Sequence, residues 1–321
     1  MARKIAMKYF KFNVAFGAIA LIALAAVVSF ETRTGRGQTQ PPKNESRAKA
    51  TSLKTNDGDK PTARNTTNSS GFASAAAQNA ILRNDLTWTF GGKQQRGWYL
   101  YTTLIGRLLK TEADASSPAF AEALAKWQER SALKPTGVLE EESLSAMISE
   151  WQSSRLKNRL YAQPDQLLTA PPSDFYDPAR LENLRQVERD TYSAYKRMLA
   201  AAIADPLLGL AHTSGGELVP TEKYLKIVSA FRPREYQDQL RRQSPNAGSA
   251  GLAVNSPHFT GRALDLYVGG DPVDTKDSNR AIQVQTAVYR WLVRNAERFG
   301  FRPYYYEPWH WEYVGTGDSR Q

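Results

Sequence analysis

The sequence predicts an α+β protein that follows a polar N-terminal extension. Helical and strand patterns after about residue 85 do not alternate regularly, which is typical of α+β folds. Apolar residues make up 41% of the 321 residues and aromatic residues 11%, enough for a buried core. The length corresponds to about two domains of ordinary size. The absence of cysteine excludes a disulfide scaffold, a thiolate metal site and a cysteine nucleophile.

Residues 1–30 have the features of an export or anchoring segment. Lysine and arginine side chains between positions 3 and 11 precede an uncharged apolar run at 14–30. This order keeps the N-terminus in the cytoplasm and directs the rest of the chain across the membrane. The run is short for a membrane anchor, and the Ala-x-Ala pattern at positions 23 and 25 leaves a cleaved signal peptide as the alternative. Either way, the folded part is expected in the periplasm or cell wall space.

Residues 31–80 are rich in polar residues and alanine and are predicted to be a disordered linker. Residues 1–90 contain 13 of the 42 basic residues and 5 of the 32 acidic ones, so most of the net charge of +10 lies in this part. A nucleic-acid-binding protein would carry its basic residues on a folded face. Nucleic acid is therefore not expected as a partner, whereas a basic spacer beside anionic lipid fits the pattern.

Residues 81–155 are predicted to form a small, mainly helical module. The alternating residues 86–90, followed by two glycines, predict a hairpin. Apolar residues at helical spacing then predict helices at about 100–110, 119–130 and 140–148.

Residues 120–147 resemble the small peptidoglycan-binding module of bacterial cell-wall hydrolases. The matching residues are Phe120, Leu124, Trp127, Gln128, Leu133, the turn at 136–139 and Leu144. Only the second half of that module matches well, and residues 127 and 136 depart from the usual phenylalanine and acidic residue. The alternative is a helical spacer, because an amphipathic pattern by itself indicates only a core.

Residues 156–321 are predicted to form the second domain. After a proline-containing connection, an amphipathic helix is expected at about 178–205, with Leu181 among its inward residues. Strands are expected at 224–229 and 261–268, a helix at 278–299, and an aromatic strand and loop at 304–314.

Two of the three histidines, His258 and His310, lie in unusual local sequences. Two histidines and one carboxylate are a typical ligand set for a cysteine-free catalytic zinc, and they leave the fourth position to water. Asp265, seven residues after His258 on a predicted strand, is the natural third ligand, and Glu307 or Glu312 would be the base. Zinc lowers the pKa of its water, a carboxylate takes the proton, and the hydroxide attacks an amide carbonyl.

The spacing of these residues alone leaves a second interpretation open. His258 would then make a hydrogen bond within a turn, and His310 would pack among aromatic residues. The third histidine, His212, lies in a loop rich in glycine and threonine and is interpreted as a surface residue.

Two segments resemble the VanY-type D-alanyl-D-alanine carboxypeptidases of the LAS group of bacterial cell-wall zinc peptidases. Residues 256–265 match the pattern Ser-x-His-x-x-Gly-x-Ala-x-Asp. Residues 307–310 match a pattern in which a glutamate precedes a Trp-His pair. Residues 229–232, followed by Gln237, are similar to a third segment, with Phe231 where tyrosine is usual. These matches cover roughly residues 181–314. The resemblance implies a LAS-type catalytic domain, in which helices flank a small, mainly antiparallel sheet.

By position, the resemblance implies that His258, Asp265 and His310 bind Zn²⁺ and that Glu307 is the general base. Arg232 would stabilise the developing oxyanion or hold a substrate carboxylate, tasks that suit a planar cationic donor.

Three further residues are assigned to substrate binding: Ser256, Gln237 and Trp309. A turn or N-cap role for Ser256 and a packing role for Trp309 are the alternatives. Glu312 stands where relatives often have a basic residue, which leaves the substrate preference open.

The expected function is zinc-dependent hydrolysis of peptide bonds in peptidoglycan stem peptides, as a D,D- or L,D-carboxypeptidase, with Glu307 activating the zinc-bound water. The alternatives are a peptidoglycan endopeptidase and a non-catalytic cell-wall-binding protein. The expected partners are peptidoglycan and, through the N-terminal segment, the cytoplasmic membrane.

Overall fold

The computed structural model describes residues 71–243 and 255–315. The predicted anchor at 1–30, and the linker up to residue 70, lie outside these ranges. Within the described ranges, no helix combines the length and the apolar character that a membrane span needs.

The N-terminal part consists of four helices and a hairpin. In chain order these are α1 (Ala73–Asp85), β1 (Thr87–Phe90), β2 (Lys93–Arg96), α2 (Thr102–Leu109), α3 (Pro118–Arg130) and α4 (Glu141–Ser153). The predicted hairpin is confirmed, and its two glycines have φ of 56° and 74°, as a type I′ turn requires. The Ser117 side chain caps α3 by accepting a hydrogen bond from the Phe120 amide, and Pro118 occupies the first helical position.

Helix α1 corrects the predicted linker, which was expected to continue to residue 80. Its buried residues are small or polar (Ala75, Ala76 and Asn79), so the segment lacks the large apolar residues that predict a helix. Side-chain hydrogen bonds hold it instead: Asn79 Nδ2 donates to the Gly137 carbonyl, and its Oδ1 accepts from the Leu139 amide, both at 2.8 Å. These partners lie about 60 residues away along the chain, where no local pattern reveals them.

The C-terminal part contains six strands and four helices within the described ranges. They are β3 (Leu167–Thr169), β4 (Gln186–Glu188), α5 (Arg189–Ile203), β5 (Ile227–Ser229), α6 (Arg234–Gln243), β6 (Ala263–Leu266), α7 (Asp277–Gln285), α8 (Ala287–Asn295), β7 (Phe301–Tyr304) and β8 (Glu307–Tyr313).

The predicted helix at 178–205 is wrong in its first third. Helix α5 begins only at Arg189, because Glu188 is its N-cap. The Glu188 side chain accepts hydrogen bonds from the backbone amides of Asp190 and Thr191 in the first turn. Residues 186–188 pair with β3 instead, and Leu181, expected to face inward, is 66% exposed.

The predicted helix at 278–299 is also divided, since α7 ends before Thr286 and α8 begins after it. The Thr286 backbone is extended, and its hydroxyl accepts a hydrogen bond from the Tyr289 amide, so this residue starts a new helix. The apolar pattern continues across the break because both helices face the same core.

A four-stranded antiparallel sheet with the order β5-β6-β8-β7 forms the centre of the C-terminal part. All residues of β6 are buried, so both faces of this strand are covered. The sheet and the surrounding helices confirm the predicted α+β class and the small antiparallel sheet.

One hydrophobic core connects the two predicted domains. It includes Trp98 and Trp151 before the expected boundary at 155/156 and Trp291 and Trp311 after it. The division into two functional domains stays a prediction, because the packing is continuous across that boundary.

Candidate metal centre

The register of the sheet brings the candidate ligands together. Asp265 on the central strand β6 lies opposite His310 on β8 and opposite Ser229 on β5. Directly paired residues of antiparallel strands point to the same face. Asp265 Oδ1 is 2.9 Å from His310 Nδ1 and 3.3 Å from His258 Nε2. Sheet pairing thus unites residues 45 positions apart in the chain.

A single 3₁₀ turn, Pro257–Thr260, orients His258. The Ser256 hydroxyl caps this turn by accepting a hydrogen bond from the His258 amide at 3.3 Å. The His258 Nδ1 donates to the Ala230 carbonyl at 2.6 Å, so Nε2 is the ring nitrogen that faces Asp265.

Gly261 ends the turn with φ of +67°, a backbone conformation that glycine adopts without steric cost. A Cβ at this position would lie 2.9 Å from both the Glu188 amide nitrogen and Leu167 Cδ2. Gly261→Ala should therefore lower the free energy of unfolding by at least about 2 kcal/mol, from left-handed backbone strain and the clash together.

Gly209→Ala is the matched control, because Gly209 has φ of +58° but open space around its Cβ position. It should cost only about 1 kcal/mol. Urea unfolding measures both values, and equal losses would show that the close contact at Gly261 has no energetic effect.

The donor set fits a zinc ion. The ligand atoms of His258, Asp265 and His310 all lie within 4.8 Å of one another, and all three residues are buried. Zinc bonds of about 2.0–2.1 Å place tetrahedral ligand atoms roughly 3.3 Å apart. The 2.9 Å and 3.3 Å separations from Asp265 Oδ1 are close to that value.

Glu307 lies at the start of β8, beside the cluster. Its Oε2 is 4.0 Å from His310 Nδ1. Burial raises the pKa of Glu307 to about 7, a shift that the positive charge of His310 opposes. A carboxyl group with a pKa near neutrality both accepts and returns protons readily.

Arg232 holds the other oxygen of the aspartate. Its Nη2 donates to Asp265 Oδ2 at 2.5 Å, its Nε to Ser229 Oγ at 3.0 Å, and its Nη1 to Gln237 Oε1 at 3.4 Å. Burial would raise the pKa of Asp265, but the charges of His258 and Arg232 and the imidazole hydrogen bonds hold it well below its usual range. Asp265 is therefore ionised, as a metal ligand must be.

The two imidazoles differ in basicity. Burial, with the nearby positive charge of Arg232, lowers the pKa of His258 to about 4. Burial also disfavours the charged form of His310, but hydrogen bonds to Asp265 and Glu312 outweigh it and raise its pKa to about 9. At pH 7, His258 is neutral and His310 carries a proton.

Zinc affinity should therefore rise with pH. The proton on His310 must leave before this nitrogen can bind a metal, so the apparent affinity should increase about tenfold per pH unit from pH 7 until the pH approaches about 9. His258 adds nothing in this range, because it is already neutral. Competition with a chelator of known pH dependence measures the effect. A constant affinity between pH 7 and pH 8.5 would contradict a protonated His310.

The residues predicted to bind substrate lie in different positions. Ser256 caps the His258 turn, and Gln237 on α6 accepts a hydrogen bond from Arg232. Trp309 is 3% exposed and belongs to the hydrophobic core. Their roles toward a substrate stay predictions. His212 is exposed, as expected for a surface residue.

Two residues lie behind His310: Glu312, which the sequence suggested only as an alternative base, and Arg155, which sequence reasoning missed. Glu312 Oε1 accepts a hydrogen bond from His310 Nε2 at 3.2 Å and forms an ion pair with Arg155. The spacing of two along a strand could have placed Glu312 on the same face as His310. No local signal marks Arg155, which lies 157 positions before Glu312.

The chain is similar to a known protein family over part of its length. Residues 185–316 match the VanY family model, described as D-alanyl-D-alanine carboxypeptidase. No curated protein matches the chain.

Two solved structures are similar to part of the chain. The LdcB LD-carboxypeptidase is 22% identical, with 50% of this chain and 72% of that chain covered and a TM-score of 0.35. A mutant of the vancomycin resistance D,D-pentapeptidase VanY from the VanB-type cassette, in complex with Zn(II), is 21% identical, with 52% and 89% covered and a TM-score of 0.30.

The family match contains the three candidate ligands and Glu307. It confirms the predicted enzyme class, a metallopeptidase of the D-alanyl-D-alanine carboxypeptidase type, and the ligand set agrees with the predicted zinc cofactor. Over residues 185–316, this chain is therefore similar to the VanY family of D-alanyl-D-alanine carboxypeptidases.

Proposed function

We propose that this protein is a zinc-dependent carboxypeptidase that removes the terminal residue of peptidoglycan stem peptides. The observation that carries the proposal is the convergence of two imidazoles and one carboxylate, with Glu307 beside them. The family description supports a carboxypeptidase that acts on D-alanyl-D-alanine.

The ligands in this proposal are His258 Nε2, an oxygen of Asp265 and His310 Nδ1. Arg232, which holds Asp265 Oδ2, and the Ala230 carbonyl, which holds His258 Nδ1, keep two of these groups in place. When bound, zinc lowers the pKa of a coordinated water to about 7 and polarises the substrate carbonyl.

Glu307 is the proposed proton carrier. Its carboxylate accepts the proton of the attacking water and passes it to the nitrogen of the leaving amino acid, so that the peptide bond is replaced by a carboxylate and a free amine. A pKa of about 7 suits both directions of transfer.

The side chains of Glu307 and Arg232 are 10% and 11% exposed, more than those of the three ligands, which are 1–4% exposed. We therefore place the substrate on the side of Glu307 and Arg232. Arg232 has five N–H groups, and the contacts described above use three of them. The others suit the developing oxyanion or the free carboxylate of a substrate.

The positive charge of Arg232 favours a carboxypeptidase over an endopeptidase. A substrate that ends in a free carboxylate would benefit from this cation beside Asp265, whereas a peptide bond within a cross-link would not.

We also propose that the helical part at 81–155 binds the wall polymer and that the protein acts outside the cytoplasm, held at the membrane by its N-terminal segment. Sedimentation of the full-length Glu307→Gln variant with purified sacculi, with excess soluble stem peptide to occupy the catalytic site, tests the first point. Sedimentation that the peptide abolishes would assign wall binding to the catalytic site alone.

Incubation of the zinc-loaded protein with defined muropeptides, followed by mass analysis, tests the activity. Loss of one alanine from a pentapeptide that ends in D-Ala-D-Ala indicates D,D-carboxypeptidase activity, and the same loss from a tetrapeptide indicates L,D activity. Cleavage of a cross-linked dimer would assign an endopeptidase. Unchanged substrates with zinc bound would instead indicate a non-catalytic wall-binding protein. Chelation should abolish turnover, and added zinc should restore it.

A further inference from the structure

A buried carboxylate lies directly behind the proposed metal ligand His310. Glu312 follows it by two residues on β8, so both side chains lie on the same face of the strand. The two ring nitrogens of His310 have different partners, since Nδ1 faces Asp265 at 2.9 Å and Nε2 faces Glu312 Oε1 at 3.2 Å. A carboxylate on the second nitrogen of a metal-ligating imidazole fixes the orientation and tautomer of the ring.

Glu312 in turn depends on two groups that lie just after the end of helix α4. Its side chain has no solvent exposure, and Arg155 Nη2 forms an ion pair with Oε1 while the Leu156 amide donates to Oε2 at 2.9 Å. A buried carboxylate without such partners is costly. The glutamate position is therefore determined by residues 155 and 156.

Arg155 is itself fixed in place. Its guanidinium lies over the Tyr304 ring, 4.0 Å from the centroid, and its Nη1 donates to Gln152 Oε1 at 2.7 Å. The side chain is 11% exposed. A planar cation held by stacking and by two oxygen acceptors has little freedom to move.

Residues 152–156 lie before residue 185, where the match to the VanY family begins. We infer that Arg155 and Glu312 are a positioning pair through which the segment just after α4 holds His310 in its metal-binding orientation. The N-terminal helical part then contributes to the metal affinity of the catalytic domain, in addition to any contact with the cell wall. The inference rests on the proposed zinc site.

The zinc dissociation constant of the full-length protein, measured by chelator competition, tests the pair. Glu312→Gln and Arg155→Gln should each weaken zinc binding about ten- to a hundredfold. In the Glu312→Gln background, Arg155→Gln should have no further effect on zinc affinity, because it acts through the glutamate. Independent, multiplicative losses would overturn the pairing.

Arg96→Gln is the control. This arginine on β2 is 76% exposed, and its ion pair is with Asp85 at 2.8 Å. The zinc affinity and hydrolytic activity of the Arg96→Gln variant should equal those of the wild type. If Arg155→Gln does not fold, the double variant with Arg155→Gln and Glu312→Gln, which removes both buried charges, is measured instead. Wild-type zinc affinity in that double variant would overturn the inference.

The outcomes also separate this inference from the proposed function. A wild-type protein that binds no zinc would overturn both. A wild-type protein that binds zinc and hydrolyses stem peptides, with Glu312→Gln and Arg155→Gln variants of unchanged zinc affinity, would overturn the positioning pair alone.

Discussion

Glu307→Gln should lower kcat for stem-peptide hydrolysis by about a hundred- to ten-thousandfold, the usual contribution of a general base. The amide has nearly the shape of the carboxylate but cannot accept the proton of the attacking water. Because the three proposed ligands are untouched, the variant should bind zinc in the same stoichiometry as the wild type. Rates with the defined muropeptides and zinc content by elemental analysis measure the two quantities.

Glu297→Gln is the control for this change. Glu297 is 54% exposed and pairs with Arg302 at the surface, so the variant should keep full activity. If Glu307→Gln retained wild-type turnover, Glu307 would lose its role as the base. Loss of zinc from the Glu307→Gln variant would point to Glu307 as a ligand instead.

His258→Ala should remove zinc binding and with it hydrolysis. If one of three ligands supplies about a third of roughly 12 kcal/mol of zinc binding energy, its loss weakens affinity at least about a thousandfold. Activity at limiting zinc should fall by a similar factor. Chelator competition and turnover at defined free zinc measure the two effects.

His212 is the control for this change, because it is the one histidine of the three in the sequence that is not a proposed ligand. His212 is exposed in a loop, where its Nδ1 lies 2.9 Å from the Leu210 carbonyl. His212→Ala should bind zinc and turn over like the wild type. Equal loss of zinc in both histidine variants would locate the metal elsewhere and overturn the assignment of the ligands.

Much of the candidate site is encoded locally. The segment 256–265 carries a capping serine, a ligand, a glycine with positive φ and a second ligand, and each depends on neighbours in the chain. Strand β8 presents Glu307 and His310 within four residues. Residue type and spacing therefore predicted candidate ligands at these positions, and the resemblance to the VanY family favoured the catalytic interpretation over the alternative.

Element boundaries were harder to predict. The apolar spacing before residue 189 continues that of α5, yet pairing with β3 prevents a helix there. The pattern of α7 and α8 looks continuous, yet the Thr286 cap divides it. Helix α1 lacks an apolar pattern and depends on Asn79. In each case, a specific hydrogen bond or strand pairing overrode periodicity, which reports only which residues face a core.

The amino-acid sequence by itself predicted the candidate ligand residues and the class of fold from residue type and spacing over a few positions, and the resemblance to the VanY family added Glu307 as the expected base. Only the tertiary structure decided which nitrogen of each imidazole faces Asp265, and that Arg155 supports His310 through Glu312. The physical reason is distance along the chain. Hydrogen bonds and ion pairs act over about 3 Å, and contacts between residues 157 positions apart exist only after the sheet and helix α4 have packed together.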